Sequence, residues 1–397
     1  MTERLYYDNA YLTEFDGQVL ACRPNGAQYD VLLDQSAFYP TSGGQPYDTG
    51  TLEPARVVDV NVTDGEVWHT VTQPLEIGQR VHGVIDWPRR FDHMQQHAAD
   101  HMIAGALHRL MGGVTIGLHI SEEVSTIDVA MPDGVTRISP EDLQRIEMDV
   151  NAHIQRDVPI RCWFPEADEL IRLPLRKKPT VSEHVRVVAI GDDEMVACGG
   201  THPSTAGQLG VVKILSVTPA RGKMRVAFVA GQRALVDYLR CSRAAHGAAG
   251  LLSTHVDNLP AGVEALQERL RAAEFELNRL RREQLLAQAG TFLAEAEALP
   301  GGARLIARFV EGDAMLLREL TSKLIESPQV IALIGVMNGE QASYVFGRSA
   351  DVSVNMGDLL RTAARSHGGK GGGRPDFAQG GGSKEILSEA CRILREG

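Results

Sequence analysis

Cysteine is scarce and scattered in this chain of 397 residues. Its five cysteines are odd in number and include no close-spaced pair: Cys22, Cys162, Cys198, Cys241 and Cys391. This spacing argues against a disulfide framework and favours a reducing compartment. Hydrophobic residues make up 43% and charged residues 23% of the chain. This composition is typical of soluble globular domains rather than of disordered or fibrous proteins.

Long hydrophobic runs are also missing. The first five residues contain no basic segment followed by an apolar stretch, so they do not resemble a secretory signal. The apolar run over 330–337 is interrupted by Gly335 and is far too short to span a membrane. We therefore expect a cytoplasmic protein with no membrane segment.

The chain has no excess of positive charge. Its net charge of −11 would ordinarily count against nucleic-acid binding, because phosphate contacts need clustered positive side chains. The charge is unevenly distributed, however. From Arg361 to the end, seven Lys and Arg residues stand against four Asp and Glu residues, which gives this tail a charge of +3.

The length of 397 residues predicts two to four domains, since roughly 100–200 residues is usual for one. Short alternating runs and turn signals over 1–90 predict a small β-rich barrel or curled sheet. A helical pattern follows over 90–111 and is closed by Gly112-Gly113. A strand is predicted over 125–130, a helix with Ser139 as its N-cap over 140–156, and four more strands between 180 and 230. This is a mixed α+β pattern with an antiparallel sheet.

The chain after Gln232 reads as helical. Apolar residues recur at alternating spacings of three and four, in the order Val263, Leu266, Leu270, Ala273, Leu277 and Leu280. Such a heptad seam is typical of a helical hairpin or a dimer coil, and an amphipathic helix lying on its own domain fits equally well. An α/β unit is predicted after Gly302, with strands over 304–310 and 329–336, a helix over 314–325 and Gly-rich loops over 367–373 and 375–383.

Four metal-ligand side chains occur in two pairs. His97 and His101 are four residues apart on the predicted helix, so both rings project from one face. Alone this pair is weak evidence for a metal, because histidine pairs on helices are common. The second pair, Cys198 and His202, flanks Gly199-Gly200, where the backbone can approach closely. A thiolate together with imidazoles selects zinc over magnesium or calcium.

These elements, HAADH and CGGTH, resemble the metal motifs of alanyl-tRNA synthetase editing domains and of the free-standing alanyl-tRNA editing proteins. Two more segments are similar to that family. AFYPTSGGQPYDTG at 37–50 resembles its FYPxSGGQ loop, and HGGKGGGRPDFAQGGG at 367–382 resembles the signature of the RNA-binding domain associated with DHH proteins. The four motifs follow the family's order over nearly the whole chain, which makes them far more specific together than singly.

The resemblance implies an α+β fold of four parts. These are a β-barrel-like domain (1–90), a zinc-dependent editing domain (91–231), a helical or coiled-coil segment (232–299) and an α/β RNA-binding domain (300–397). It implies one zinc ion per chain, held by His97, His101, Cys198 and His202. It also implies substrate contacts from Thr41, Gly43, Gly44, Gln45 and Thr201, with Thr41 facing the amino-acid side chain.

The implied activity is hydrolysis of tRNA(Ala) mischarged with serine or glycine. Because the motifs begin within the first fifty residues, we expect no aminoacylation domain, so the protein would act in trans. The expected tRNA contacts are Arg361, Arg365, Lys370 and Arg374, where the Gly-rich tail forms either a phosphate cradle or a flexible linker. A homodimer through the 232–299 helices is a further expectation.

The expected chemistry of the site leaves alternatives open. Zinc lowers the pKa of bound water and polarises an ester carbonyl, so a zinc-bound water is the expected nucleophile and no side chain is assigned as catalytic base. Four protein ligands would close a tetrahedral site, so we expect His202 to be loose or displaced. Alternatively, zinc only shapes the pocket and the terminal ribose hydroxyl assists proton transfer. His93, one turn before His97, is an alternative ligand or an ordinary hydrogen-bonded histidine.

Two other classes of function remain open. One is a non-catalytic tRNA-binding protein with structural zinc. The other is editing of another mischarged tRNA such as tRNA(Thr), since threonyl-tRNA synthetases share related motifs.

Overall fold

The computed structural model describes residues 2–133, 135–179, 184–220 and 222–396. Contacts between Cα atoms divide the chain into two compact units, Met1–Gly247 and Ala248–Gly397. Within the described ranges, no helix is both long and apolar enough to cross a bilayer.

The first unit begins with a closed six-stranded barrel, in the order β2-β3-β7-β6-β5-β8. Side chains alternate between the barrel core and solvent, because successive residues of a strand point to opposite faces. Val31, Leu33 and Leu52 are completely buried in this core. The elements up to the end of the barrel are β1 (Glu3–Arg4), α1 (Leu5–Asp8), β2 (Glu14–Asn25), β3 (Gln28–Leu33), β4 (Gln35–Ser36), β5 (Gly50–Leu52), β6 (Ala55–Thr63), β7 (Glu66–Val71) and β8 (Arg80–Ile85).

Helix α2 (Trp87–Met111) follows the barrel and is the longest helix of this unit. The Asp86 side chain caps it by accepting a hydrogen bond from the Arg89 N–H, which leaves one fewer unpaired donor at the helix start. Gly112 ends it in the left-handed conformation, with φ 69°, where glycine has no steric penalty. The predicted C-terminal boundary is confirmed, and the helix begins three residues earlier than predicted.

The rest of the first unit packs on α2 through two antiparallel sheets. One has the order β14-β15-β10-β9 and the other the order β11-β12-β13. The predicted N-cap is confirmed, since Ser139 Oγ accepts from the Asp142 N–H at 3.0 Å. The elements are β9 (Val114–His119), β10 (Ser125–Ala130), α3 (Pro140–Gln155), β11 (Ile160–Trp163), α4 (Ala167–Arg172), β12 (Val187–Ile190), β13 (Glu194–Ala197), β14 (Val212–Ala220) and β15 (Lys223–Ala230).

Three helices follow β15. Most of α5 (Gln232–Leu251) belongs to the first unit, whereas α6 (Leu259–Ala287) and α7 (Ala289–Ala294) belong to the second. The predicted heptad seam lies on α6. Its residues Val263, Leu266, Leu270, Leu277 and Leu280 are 44–57% exposed. The alternative in which this helix buries its seam against its own domain is therefore wrong. Only toward the end of α6 is an apolar residue, Leu285, buried.

The second unit has a six-stranded sheet in the order β16-β17-β18-β19-β21-β20. Strands β17 and β18 are parallel and joined through α8, whereas the other described pairs are antiparallel. The sheet is therefore mixed. Its elements are β16 (Glu297–Ala298), β17 (Arg304–Phe309), α8 (Ala314–Ile325), β18 (Val330–Asn338), β19 (Gln341–Arg348), α9 (Met356–Arg365), β20 (Lys370–Gly373), β21 (Phe377–Gly382) and α10 (Glu385–Glu396).

The Gly-rich tail is not a pair of loops, as the sequence predicted, but a β-hairpin. Strands β20 and β21 pair from Lys370↔Gly381 to Gly373↔Ala378. Positions in this hairpin require glycine because other atoms lie too close to leave room for a side chain. A Cβ on Gly371 would lie 2.8 Å from the Leu360 side chain, and one on Gly373 would lie 2.5 Å from the Ala378 backbone. A flexible linker is thereby excluded for this segment.

Candidate metal centre

Helix α2 is held between the barrel and the four-stranded sheet that contains β15. These contacts fix the direction in which its histidines point. At its start, the buried Arg90 guanidinium pairs with the buried Asp48 carboxylate of the barrel, with Nε 2.8 and 2.9 Å from the two carboxylate oxygens. Two turns on, the Gln96 amide donates to Ala230 O and accepts from Ala230 N–H, each at 3.0 Å. Next to Gln96, the rings of His97 and His101 stack with centroids 5.0 Å apart.

The second pair of side chains comes from the loop that follows β13. The Cys198 N–H donates to Arg186 O at 2.9 Å, which continues the β12–β13 pairing to the first residue of this loop. Gly200 must be glycine, because a Cβ there would lie 2.2 Å from the His97 ring. The loop therefore packs directly on α2. This contact brings Cys198 and His202 to the two helix histidines.

The four predicted ligands form one cluster. One ligand atom from each of His97, His101, Cys198 and His202 lies within 4.8 Å of all the others. Cys198 Sγ is 3.3 Å from His97 Nε2 and 3.4 Å from His202 Nε2. Tetrahedral zinc, with Zn–N of about 2.0–2.1 Å and Zn–S of about 2.3 Å, needs ligand separations of roughly 3.3–3.6 Å. The two Cys198 Sγ–imidazole separations, 3.3 and 3.4 Å, meet this requirement.

Burial sets the protonation of the cluster. It lowers the pKa of His97 to about 3, with Arg186 adding to the effect, and it lowers the pKa of His101 and His202 well below the usual value. The three imidazoles are therefore neutral at pH 7, as metal ligands must be. Burial also raises the pKa of the Cys198 thiol to about 12. A bound cation would reverse that shift by stabilising the thiolate.

Unpaired buried nitrogens support a metal at this position. Both ring nitrogens of His101 and Nδ1 of His202 are buried and have no hydrogen-bond partner. Buried polar atoms normally have a partner, and leaving one without costs about 1–3 kcal/mol. A cation among the four residues would bind one ring nitrogen of His101, both of whose nitrogens lack a partner, whereas His202 faces Cys198 with its other nitrogen, Nε2. The residues thus fit a metal ion in both distance and donor chemistry.

Gln45 is completely buried beside the cluster. Its Oε1 lies 2.8 Å from His97 Nδ1 and accepts from the Thr201 N–H at 3.1 Å, while its Nε2 donates to Thr201 Oγ1 at 2.7 Å. An amide oxygen only accepts, so the His97 Nδ1 carries the proton and Nε2 is left to face the other ligands. Both Gln45 and Thr201, predicted substrate contacts, are occupied in supporting the metal ligands.

The other predicted substrate residues lie on the turn that carries Gln45. Thr41 and Gly43 are exposed. Ser42 and Gln45 close the turn by exchanging backbone hydrogen bonds of 3.1 and 2.9 Å. Gly44 has φ 87°, and a Cβ there would lie 2.5 Å from the Leu118 carbonyl oxygen. Gly44 thus allows the turn to pack on β9, which places Gln45 at the cluster.

His93 lies outside the four-residue cluster. It is buried, its Nδ1 has no partner, and burial together with nearby Arg89 and Arg233 lowers its pKa to about 3. His93 is therefore not one of the four clustered side chains, and its Nδ1 makes no hydrogen bond.

Two residues that lie near the cluster were not identified from the sequence. The Arg186 guanidinium is buried and donates to the carbonyl oxygens of Cys198 at 3.2 Å and Gly200 at 2.7 Å, so it clamps the metal loop. Asp100 is also buried, one of its oxygens is 3.7 Å from His101 Nδ1, and burial raises its pKa to about 7. The available signal for Asp100 was a carboxylate on the apolar stripe of α2. Arg186 gave no signal, because its partners are backbone atoms.

The predicted tRNA-binding cations lie in the second unit and are all exposed. Arg361 and Arg365 are one turn apart on α9, and Lys370 and Arg374 belong to the β20–β21 hairpin. Arg361 Nη1 would lie 3.8 Å from a Cβ on Gly372, which places the Arg361 side chain beside the hairpin. Arg361 is paired with Asp358 and Arg374 with Asp376.

Family models match three parts of the chain. Residues 3–89 match tRNA synthetases class II (A), residues 185–226 match the threonyl and alanyl tRNA synthetase second additional domain, and residues 304–396 match the DHHA1 domain. These matches place the chain among proteins built from aminoacyl-tRNA synthetase domains. The match to the second additional domain includes Cys198 and His202. It does not include α2, which carries the other two ligands, His97 and His101.

Relatives specify the family further. The chain is 32% identical to the alanine–tRNA ligases of Haloquadratum walsbyi and Halorubrum lacusprofundi and 31% identical to that of Pyrococcus abyssi, over 99% of its length in each case. It is therefore a relative of the alanine–tRNA ligases, and it spans 44% of the length of each. A solved structure, the C-Ala domain of Aquifex aeolicus alanyl-tRNA synthetase, matches 26% of this chain and 96% of its own, with 28% identity and a TM-score of 0.23.

Proposed function

We propose that this protein is a zinc-dependent aminoacyl-tRNA deacylase that acts in trans on tRNA(Ala) mischarged with serine, with glycine as a second substrate. The observation that carries the proposal is the cluster of His97, His101, Cys198 and His202 in a relative of alanine–tRNA ligases. Sulfur with nitrogen ligands favours zinc among the divalent ions. One zinc per chain would supply Lewis-acid polarisation of the ester carbonyl.

The chain's own residues prepare the site for an ester. Gln45 fixes His97 with Nε2 free, and Arg186 holds the carbonyl oxygens of the metal loop. The three histidines are buried, whereas Cys198 is half-buried and Gly199 is exposed. An ester would therefore reach the cluster on the Cys198–Gly199 side. The buried histidines on the opposite side exclude bulk water, which strengthens electrostatic interactions with the reacting group.

Substrate recognition is divided between the two units in this proposal. Thr41, Gly43 and Gly44 border the site near Gln45, and Thr201 supports it from the metal loop. The cations Arg361, Arg365, Lys370 and Arg374 contact tRNA phosphates, which supplies affinity without sequence information. The exposed apolar seam of α6 is proposed to pair with the same seam of a second copy, because coil helices bury such seams against each other.

Deacylation assays test the activity directly. The full chain should hydrolyse seryl-tRNA(Ala) and glycyl-tRNA(Ala) much faster than alanyl-tRNA(Ala), and chelation of the metal should abolish this activity. Seryl-tRNA(Thr) tests the alternative that the substrate is a mischarged tRNA(Thr). This alternative arises because the matched second additional domain is common to threonyl and alanyl enzymes. Preference for seryl-tRNA(Thr) would reassign the substrate.

A non-catalytic role is the other candidate, and one observation favours it. Four protein ligands are the number found in closed, structural zinc sites. This candidate predicts tight zinc and tRNA binding with no hydrolysis of any aminoacyl-tRNA. Our proposal differs in that His202 would leave one position at the metal open, so hydrolysis of an aminoacyl-tRNA by the zinc-loaded chain decides between the two candidates.

A further inference from the structure

Two aromatic rings stand beside the open side of the metal centre. Tyr7 of α1 and Phe164, the residue after β11, make an edge-to-face contact with ring centroids 5.5 Å apart. The Tyr7 hydroxyl would lie 3.5 Å from a Cβ on Gly199, the exposed residue of the metal loop. The Phe164 ring is 47% exposed. The rings therefore lie next to the Cys198–Gly199 side, on which the proposed substrate enters.

The three-stranded sheet explains why these residues meet. Trp163 pairs with Val187 and Val187 pairs with Ala197 across β11, β12 and β13. Phe164 follows the first of these residues, Arg186 precedes the second and Cys198 follows the third, so all three lie at the same end of the three strands. The aromatic pair is thus built into the framework that holds the metal loop.

Positive charge accompanies the rings. The guanidinium carbon of Arg186 lies 5.4 Å from the centroid of the Tyr7 ring, and that of Arg4 lies 5.9 Å from it. These cation–π contacts hold the Tyr7 ring, which in turn supports Phe164 through their edge-to-face contact. Aromatic rings with nearby arginines are the features that bind unpaired nucleotides, because every base offers a flat face for stacking.

We propose that the Tyr7–Phe164 pair is the binding site for the terminal unpaired base of an RNA 3′ end, with Phe164 stacking on the base and Tyr7 holding Phe164 in position. The inference rests on the proposed function, which requires the ester at the 3′ end to reach the metal centre. It adds a subsite that binds the nucleoside rather than the amino acid. The Phe164 ring would contact the flat face of the base and not its hydrogen-bonding groups, so binding should tolerate any terminal base.

A fluorescent RNA tests this site without hydrolysis. The probe is an uncharged acceptor-stem hairpin of tRNA(Ala) that carries 2-aminopurine as its terminal base. Stacking quenches 2-aminopurine, so the full-length, zinc-loaded protein should quench the probe on binding. Phe164→Ala should abolish the quenching and weaken binding about ten- to a hundredfold, the range expected when one base–aromatic stack is removed. Phe164→Trp should retain both.

Controls separate stacking from folding. Ile171→Ala removes another exposed apolar side chain, 82% exposed on the neighbouring α4, and should leave quenching and affinity unchanged. Zinc content should stay at one per chain in all variants, since Phe164 is not a ligand. Absence of quenching by the wild-type protein, or equal quenching by the Phe164→Ala variant, would overturn the assignment.

The same experiment distinguishes failure of this inference from failure of the proposed function. A wild-type protein that hydrolyses seryl-tRNA(Ala) but does not quench the probe is a deacylase without this base site. A protein that quenches through Phe164 but hydrolyses no aminoacyl-tRNA retains the site and loses the proposed activity. In the active case, Phe164→Ala should raise KM for seryl-tRNA(Ala) more than it lowers kcat, because the ring binds the nucleoside and does not touch the ester.

Discussion

The side-chain oxygen of Gln45 lies 2.8 Å from Nδ1 of His97 and so determines which nitrogen of that histidine can bind a metal. Replacing Gln45 by Leu should free the His97 ring to rotate and weaken zinc binding about ten- to a hundredfold, the usual effect of losing such a partner. Chelator competition measures this. Gln73→Leu, an exposed glutamine of the same unit, is the control. Unchanged zinc affinity in Gln45→Leu would mean that the helix alone orients His97.

Removal of two ligands should empty the metal centre. We expect a Cys198→Ala, His97→Ala double variant to lose its zinc equivalent, since two ligands remain and neither is a thiolate. Elemental analysis of the purified protein, alongside the wild type, measures this loss. A full equivalent retained by the double variant would place the zinc elsewhere.

Serine differs from alanine by one hydroxyl, which an apolar pocket discriminates poorly. Thr41→Val preserves shape and removes a hydroxyl from the exposed turn. Turnover of seryl-tRNA(Ala) should fall about ten- to a hundredfold in kcat/KM, equivalent to roughly 1–3 kcal/mol, while hydrolysis of alanyl-tRNA(Ala) does not fall. Thr201→Val is the matched variant. Because Thr201 Oγ1 supports Gln45, that change should reduce hydrolysis of both substrates.

The tail cations should act through phosphates. In the full chain, an Arg365→Gln, Lys370→Gln variant should bind tRNA(Ala) more weakly. Its logarithmic salt dependence should also be less steep by about 0.9 for each phosphate that the variant no longer neutralises. Arg145→Gln, an exposed arginine of the first unit, serves as the comparison. If slope and affinity match the wild type, the tail has no part in tRNA binding.

Acid should destabilise the barrel through His69. This residue is completely buried, its Nδ1 donates to Val31 O at 3.1 Å and its Nε2 accepts from Ser36 Oγ at 2.7 Å. Burial lowers its pKa from 6.5 to about 4, so the unfolded chain takes up a proton first. The free energy of unfolding should be highest above pH 6.5 and fall by on the order of 3 kcal/mol from this group as the pH drops to 4. Denaturant unfolding of wild type and His69→Gln measures this, and parallel pH profiles would contradict it.

Local patterns predicted much of the fold. The helix end at Met111, the Ser139 cap and the strand over 125–130 follow from residues within one or two turns. The hairpin of β20 and β21 was missed because glycine has no strand propensity of its own, and its pairing depends on packing against Leu360.

The metal ligands were predictable because each pair is close in sequence. The role of Gln45 was not, since its partners are 52 and 156 residues away and become neighbours only when the turn packs on β9. Arg186 was missed for a similar reason. Its hydrogen bonds are to backbone carbonyls, which no side-chain pattern reveals.

The buried pair of Arg90 and Asp48 has a consequence for recombination between relatives. The carboxylate belongs to the barrel and the guanidinium to the helix that carries His97 and His101, yet neither is exposed to water. A chimaera joined at residues 86–87 that kept one partner and replaced the other by an uncharged side chain would leave a buried charge unpaired. The expected cost is about 3–5 kcal/mol, a large part of the stability of an ordinary domain. Barrel and helix can diverge on their outer faces, but at this junction they must be inherited together.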